Sequence, residues 1–148
     1  MIRFLLAVAA ILSVGAHVVA QTRPTEGQIA QAPVAAGGYP YQLFIPRGYA
    51  ASGKEKWLLL IFLHGSGERG DDVEKVKVHG PPKIVAGHPG FPFVTVSPLL
   101  AADADWDEAK LEALLAAVRK SHRIDPKRIY LTGLSLGGYT TWRWAASS

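Results

Sequence analysis

The run Arg128-Ile129-Tyr130-Leu131-Thr132-Gly133-Leu134-Ser135-Leu136-Gly137-Gly138 constrains this chain more than any other stretch. A β-branched and aromatic segment leads into Gly-x-Ser-x-Gly, and a helical stretch from Tyr139 to Ala146 follows. Strand, sharp turn and helix in that order lift a serine hydroxyl above the end of a sheet. Such a turn holds Ser135 in strained backbone geometry. Gly133 and Gly137 then carry no Cβ to collide with the neighbouring strand and helix. A helix beginning at Leu136 aims its free N–H groups and the positive end of its dipole toward Ser135. An oxyanion forming there is stabilised.

The segments before this turn alternate between strand and helix. Tyr41 to Pro46 is a strand candidate, and Phe93 to Val96 is another, bounded by Pro92 and Pro98. Trp57 to Leu63 is an unbroken apolar run of seven, which suits a strand covered on both faces. Between Asp103 and His122, Leu111, Leu114, Leu115 and Val118 repeat at helical spacing. Asp105 and Glu108 form a candidate capping box, and Asp125-Pro126 closes the element. This β/α alternation predicts an α/β fold with a mostly parallel sheet flanked by helices.

Acyl transfer requires two donors for the oxyanion, and the turn at Ser135 supplies one, the Leu136 N–H. The second is expected from the loop after Trp57–Leu63, where His64-Gly65-Ser66-Gly67 stands. Ser66 is the candidate donor through its backbone N–H, with Gly65 and Gly67 allowing close approach to a substrate. The same loop spells Gly65-Ser66-Gly67-Glu68-Arg69-Gly70, a G-x-G-x-x-G after a strand. A dinucleotide site also needs a helix starting inside the motif and an acidic residue about twenty positions on. Gly80-Pro81-Pro82 interrupts any long helix, and the next strand ends at Ser97-Pro98 without a carboxylate. No cofactor is therefore expected. Neither is a metal, since His79 and His88 with Asp71 and Asp72 lack ligand spacing. Glu68 and Arg69 are positioned to pair across the loop. Trp106, Trp142 and Trp144 read as packing residues, with flanking of an aromatic or sugar substrate as the alternative.

Tyr130 to Tyr139 resembles the serine turn of secreted α/β-hydrolase carboxylesterases, the group related to poly(3-hydroxybutyrate) depolymerases and feruloyl esterases. Tyr41-Gln42-Leu43-Phe44-Ile45-Pro46, Phe62-Leu63-His64-Gly65-Ser66-Gly67-Glu68-Arg69-Gly70 and Ile124-Asp125-Pro126-Lys127-Arg128 match the same group in order. The resemblance runs from Tyr39 to the end. Leu136 and Thr140 depart from it, where members commonly carry Met and Gly. It implies an α/β-hydrolase fold with Ser135 as nucleophile, Leu136 and Ser66 at the oxyanion hole, and His64 as a structural histidine. It also implies carboxylic-ester substrates, such as feruloyl or acetyl groups on polysaccharides, or polyester. A serine peptidase of the same fold and a non-catalytic binding module are the alternatives.

In that superfamily the triad runs Ser, then Asp or Glu, then His. His17, His64, His79, His88 and His122 all precede Ser135, and thirteen residues follow it. The order predicts an N-terminal portion of a longer hydrolase, truncated after the helix that follows the nucleophile, with acid and base elsewhere. A triad borrowed from His88 or His122 is the less economical reading.

The start of the chain reads as a secretory signal peptide over 1–20: Met1-Ile2-Arg3, then apolar Phe4 to Val14, then Val18-Val19-Ala20 before Gln21. Ser13, Gly15 and His17 break the apolar run, which argues against a stable membrane anchor. A secreted or periplasmic protein beginning near Gln21 is expected, with a flexible leader over 21–38 and the catalytic domain over 39–148. The chain has no Cys, so no disulfide contributes. Its formal net charge of +4 is scattered and weak, and nucleic acid is not an expected partner. The sequence leaves the oligomeric state open.

Overall fold

The computed structural model describes residues 26–49 and 53–147. The signal peptide expected at 1–20 and the first part of the leader lie outside them. Five strands form one sheet in the order β1-β2-β4-β3-β5. They are β1 (Gly27–Gln31), β2 (Tyr41–Ile45), β3 (Trp57–Leu63), β4 (Phe93–Pro98) and β5 (Ile124–Gly133). Among the described residues three α-helices accompany them: α1 (Gly80–Ile84), α2 (Glu108–Ser121) and α3 (Leu136–Ser147). Among the described residues, no helix is long and apolar enough to cross a membrane.

The three strands β4, β3 and β5 run parallel, with β3 in the middle. Their carboxyl ends, Pro98, Leu63 and Gly133, therefore share one edge of the sheet. That is the edge at which open α/β sheets bind ligands. The apolar run of β3 lies between two strands and beneath helices, which is why it has no polar alternation: Leu59, Ile61, Phe62 and Leu63 are all buried. β2 joins antiparallel to β4, and β1 joins antiparallel to β2, so the sheet is mixed.

β1 occupies part of the stretch read from sequence as a mobile leader. Gly27–Gln31 has no apolar period because it contributes backbone hydrogen bonds at an edge, pairing Gly27 with Ile45 through Gln31 with Tyr41. α2 starts later than the sequence pattern suggests. Its cap is Asp107, whose carboxylate accepts from the Lys110 N–H at 3.1 Å, and not Asp105. β5 begins at Ile124 and includes Pro126. Its ladder to β3 is interrupted between Ile124 and Ile129, and Pro126 lies in that irregular stretch, where a missing N–H breaks no ladder bond. Asp125 organises the irregularity by accepting from Lys127 N–H and pairing with Arg128.

The core sits between the sheet and α2 and α3. Leu111, Leu114 and Val118 from α2 and Trp144 from α3 pack with Leu59, Ile61, Leu63, Val94 and Val96. Polar pairs tie the two helices together: Trp144 Nε1 donates to Glu112 Oε1 at 2.5 Å, and Arg143 Nε to Glu108 Oε1 at 2.6 Å. α3 is thereby held at a fixed height on the sheet, which sets where its first turn and Ser135 stand.

Candidate active site

Ser135 is exposed at the turn between β5 and α3. Its φ of 49° is the one positive value among the described non-glycine residues. Holding a side-chain-bearing residue there costs about 1–3 kcal/mol and requires the surroundings to over-determine it. They do so through backbone contacts. The Leu134 N–H donates to Leu63 O at 3.0 Å, the Gly137 N–H to Leu134 O at 2.9 Å, and the Tyr139 N–H to Ser135 O at 3.0 Å. A Cβ at Gly137 would overlap the carbonyls of Leu63 and His64, and one at Gly133 would overlap the carbonyl of Gly137. The end of β3, the turn and the first turn of α3 thus meet backbone to backbone. Leu136 is the first residue of α3, so its N–H has no carbonyl of the same helix to bond.

The loop after β3 lies against this turn. The Cβ position of Gly65 is 3.6 Å from Ser135 Cβ and 3.4 Å from Leu134 O. These are ordinary contacts, and Gly65 has a φ of −82°. At Gly67 a Cβ would meet nothing within 4 Å. Neither glycine is demanded by the packing of the chain itself, unlike Gly133 and Gly137. Ser66 opens a short 3-10 turn, Ser66–Glu68, and is exposed. The hexapeptide Gly65–Gly70 is therefore one tight turn and not the start of the long helix that a dinucleotide fingerprint needs.

Three braces fix the loop. His64 is fully buried and its Nδ1–H donates to Gly65 O at 2.7 Å, while Nε2 accepts the Leu100 N–H at 3.0 Å. Those two bonds select one neutral tautomer. Burial also holds the imidazole below its usual 6.5. With both ring nitrogens engaged, His64 has none free for Ser135. The Gly70 N–H donates to Leu100 O at 3.0 Å. Arg69 donates to Ser66 O and Ala104 O. Arg69 thus grips backbone carbonyls, and Glu68 turns instead toward His79 at 3.4 Å. The Glu68–Arg69 brace expected from adjacency in sequence is replaced by these two separate contacts.

The other histidines sort by edge. His122 follows α2 and precedes β5, where its ring lies tilted beside that of Tyr49, and its Nδ1 donates to Val118 O at 3.3 Å. His88 precedes β4 and its Nδ1 donates to Ile84 O at 3.0 Å. Both lie toward the amino ends of the parallel strands. The length of β3, roughly 20 Å at about 3.3 Å per residue, separates those ends from the edge that carries Ser135. The alternative of a base borrowed from His88 or His122 is removed by this placement. His79 is half exposed and stands on the Ser135 side, a placement that no spacing in the sequence announces.

Of the tryptophans, Trp106 and Trp144 are buried, and Trp106 packs edge-on against Tyr39 and His64. Trp142 is 81% exposed on α3, one turn beyond Tyr139 at 78%. Among the described residues, no group of three or more His, Asp or Glu side chains is placed to hold a metal ion.

No protein-family model matches the chain, and no curated protein matches it. Solved structures do. A crystal structure of a thermostable esterase is similar over 78% of this chain, with 29% identity and a TM-score of 0.57. The chain spans 36% of the length of that esterase. The chain has an esterase-like α/β-hydrolase fold.

Proposed function

We propose that Ser135 is the nucleophile of a serine hydrolase acting on carboxylic esters. The observation that carries this reading is the strained Ser135 between Gly133 and Gly137, so close to the His64–Gly67 loop that a Cβ at Gly65 would touch the Ser135 Cβ. Ser135 Oγ attacks the ester carbonyl carbon, and the carbonyl oxygen takes the charge. The Leu136 and Ser66 N–H groups are the proposed donors to that oxyanion. Collapse breaks the C–O bond to the alcohol, which leaves with a proton, and water then releases the acid from the acyl-enzyme.

A general base is needed to take the Ser135 proton. His64, His88 and His122 are engaged or remote and His79 is turned to Glu68, so the reading assigns the base and its orienting acid to the part of the esterase fold that this chain does not span. The span of 36% of the matched esterase leaves room for them. Carboxylic esters such as feruloyl or acetyl groups on polysaccharides, or polyesters, are the proposed substrates. The full polypeptide should hydrolyse p-nitrophenyl acetate, and Ser135→Ala should remove that activity. An unaffected Ser135→Ala variant would assign the chemistry to another residue.

Export completes the reading. The Arg3 start, apolar core and Val18-Val19-Ala20 segment support cleavage near Gln21 and a secreted or periplasmic protein. N-terminal sequencing of exported protein should begin at or near Gln21, and a start at Met1 would refute cleavage.

A further inference from the structure

Glu68 is a buried carboxylate whose two oxygens have different surroundings. Oε1 lies 3.4 Å from His79 Nε2. Oε2 is buried without a hydrogen-bond partner, 3.9 Å from His64 Nδ1, whose hydrogen goes to Gly65 O. A buried carboxylate is costly unless a counter-charge stands beside it. Here the neighbouring cations are otherwise committed or turned aside. Arg69 is spent on Ser66 O and Ala104 O, the His64 ring is neutral, and the Lys75 ammonium lies against Gly70. His79 is the imidazole in contact.

His79 is held where it can serve. The next residue, Gly80, has a φ of +61°, and its Cβ position is 2.7 Å from the Phe62 ring. A left-handed backbone pressed on that ring suits glycine, and it pins the root of His79 to β3, the strand that leads into His64. On the other side of Glu68 stands Gly65, whose Cβ position is 3.4 Å from Glu68 Oε2 and 3.6 Å from Ser135 Cβ. The carboxylate therefore abuts the segment that faces Ser135, with one residue between them.

We propose that Glu68 and His79 form a carboxylate–imidazole pair that positions the Gly65–Gly67 loop against Ser135 and draws the Glu68 carboxylate away from the place where an oxyanion forms. The proposal rests on the hydrolase reading above. Both are positioning residues, since neither touches the reacting atoms. The physical logic is charge balance. Glu68 Oε2 is within about 7 Å of Ser135, where an uncompensated negative charge opposes a second one by a few kT at an effective dielectric constant of about 20. Loss of His79 should therefore harm the reaction, and subsequent neutralisation of Glu68 should repair it.

The test is the rate of Ser135 phosphonylation by a fluorophosphonate in the full polypeptide, with the peptide identified by mass spectrometry. Wild type, His79→Ala, Glu68→Gln and the double variant are compared, with thermal unfolding as a check of folding. His79→Ala is expected to slow the bond-forming rate constant roughly 10-fold, with reversible binding of the reagent little changed. The double variant is expected to return to within about threefold of wild type. A merely structural role does not produce this rescue. If His79→Ala does not fold, His79→Leu, which fills the space without offering a donor, takes its place with the same expected outcomes. Wild-type speed in the His79 variant, or a double variant as slow as the single one, overturns the proposal and leaves the hydrolase reading standing. Failure of wild type to label at Ser135 overturns both.

Discussion

At Gly137 the backbone of a helix meets the carbonyls of Leu63 and His64, while at Gly65 a side chain would find only ordinary contacts. These glycines should therefore respond differently to substitution. Gly137→Ala forces apart β3 and α3 and should destabilise the protein by about 3 kcal/mol or more. Gly65→Ala should cost less than about 1 kcal/mol in urea unfolding. Gly65→Val should still fold, but its γ-carbons enter the space between Glu68 and Ser135, and turnover should fall about 10²-fold, as on loss of an oxyanion donor. Equal stability losses at the two positions would contradict the packing described, and an unchanged kcat in Gly65→Val would mean that the loop does not face the reacting carbonyl. His64 predicts a pH dependence. Its folded pKa lies below the usual 6.5 because burial disfavours the imidazolium, and His122 is lowered for the same reason. The unfolded chain then binds more protons, so stability is fully present above about 6.5 and declines as pH falls toward the folded values. Unfolding free energy should drop between pH 7 and pH 5, with a shallower slope in His64→Gln. An identical slope would remove His64 as a source.

Elements differ in how far they could be read from sequence, and each difference has a physical cause. β3 was legible over Trp57–Leu63 because a strand buried on both faces leaves an unbroken apolar run. The Ser135 turn was legible because its glycines are dictated by backbone overlap, which only glycine relieves. β1 was not legible, since an edge strand can be held by backbone bonds without any apolar pattern. The placement of Glu68 beside His79 was equally hidden, because it depends on how two 3-10 segments, Ser66–Glu68 and Val73–Val78, fold back against β3. At α2 the apolar spacing was readable, but the cap was not: Asp105 and Asp107 both precede the helix, and only the path of the chain decides between them. Asp107→Ala should cost about 1 kcal/mol, or about 2–4 °C in Tm for a domain of this size. Asp105→Ala should change stability by less than about 0.5 kcal/mol. A larger loss at Asp105 would show that the helix is capped as the sequence pattern suggests.

For the molecule as a whole, the sheet has two unlike sides. β1 closes one edge with a short, partly exposed strand, whereas β5 pairs with β3 and has no second neighbour among the described residues. Tyr130 is exposed on β5 and Tyr139 and Trp142 on α3, and a largely apolar groove of about 390 Å³ lies between β5, α2 and α3, lined by Ile61, Glu112, Leu115, Ile129, Leu131 and Trp144. An unpaired strand edge beside exposed aromatic surface favours association. Residues 21–148 expressed alone should self-associate in sedimentation velocity and turn over p-nitrophenyl acetate negligibly. A monomeric, freely soluble fragment would show that this edge is not sticky. Rapid turnover by that fragment would contradict the assignment of the base to polypeptide beyond it.

The central claim is that the fold holds Ser135 as an activated nucleophile beside an oxyanion loop. Peptide mapping of the full polypeptide after reaction with a fluorophosphonate tests it most directly. A single phosphonyl adduct on Ser135 is expected, lost in Ser135→Ala and strongly slowed in Gly65→Val. An unmodified Ser135 in a correctly folded protein, or an adduct confined to another serine, would contradict it and favour a non-catalytic binding module built on the same fold.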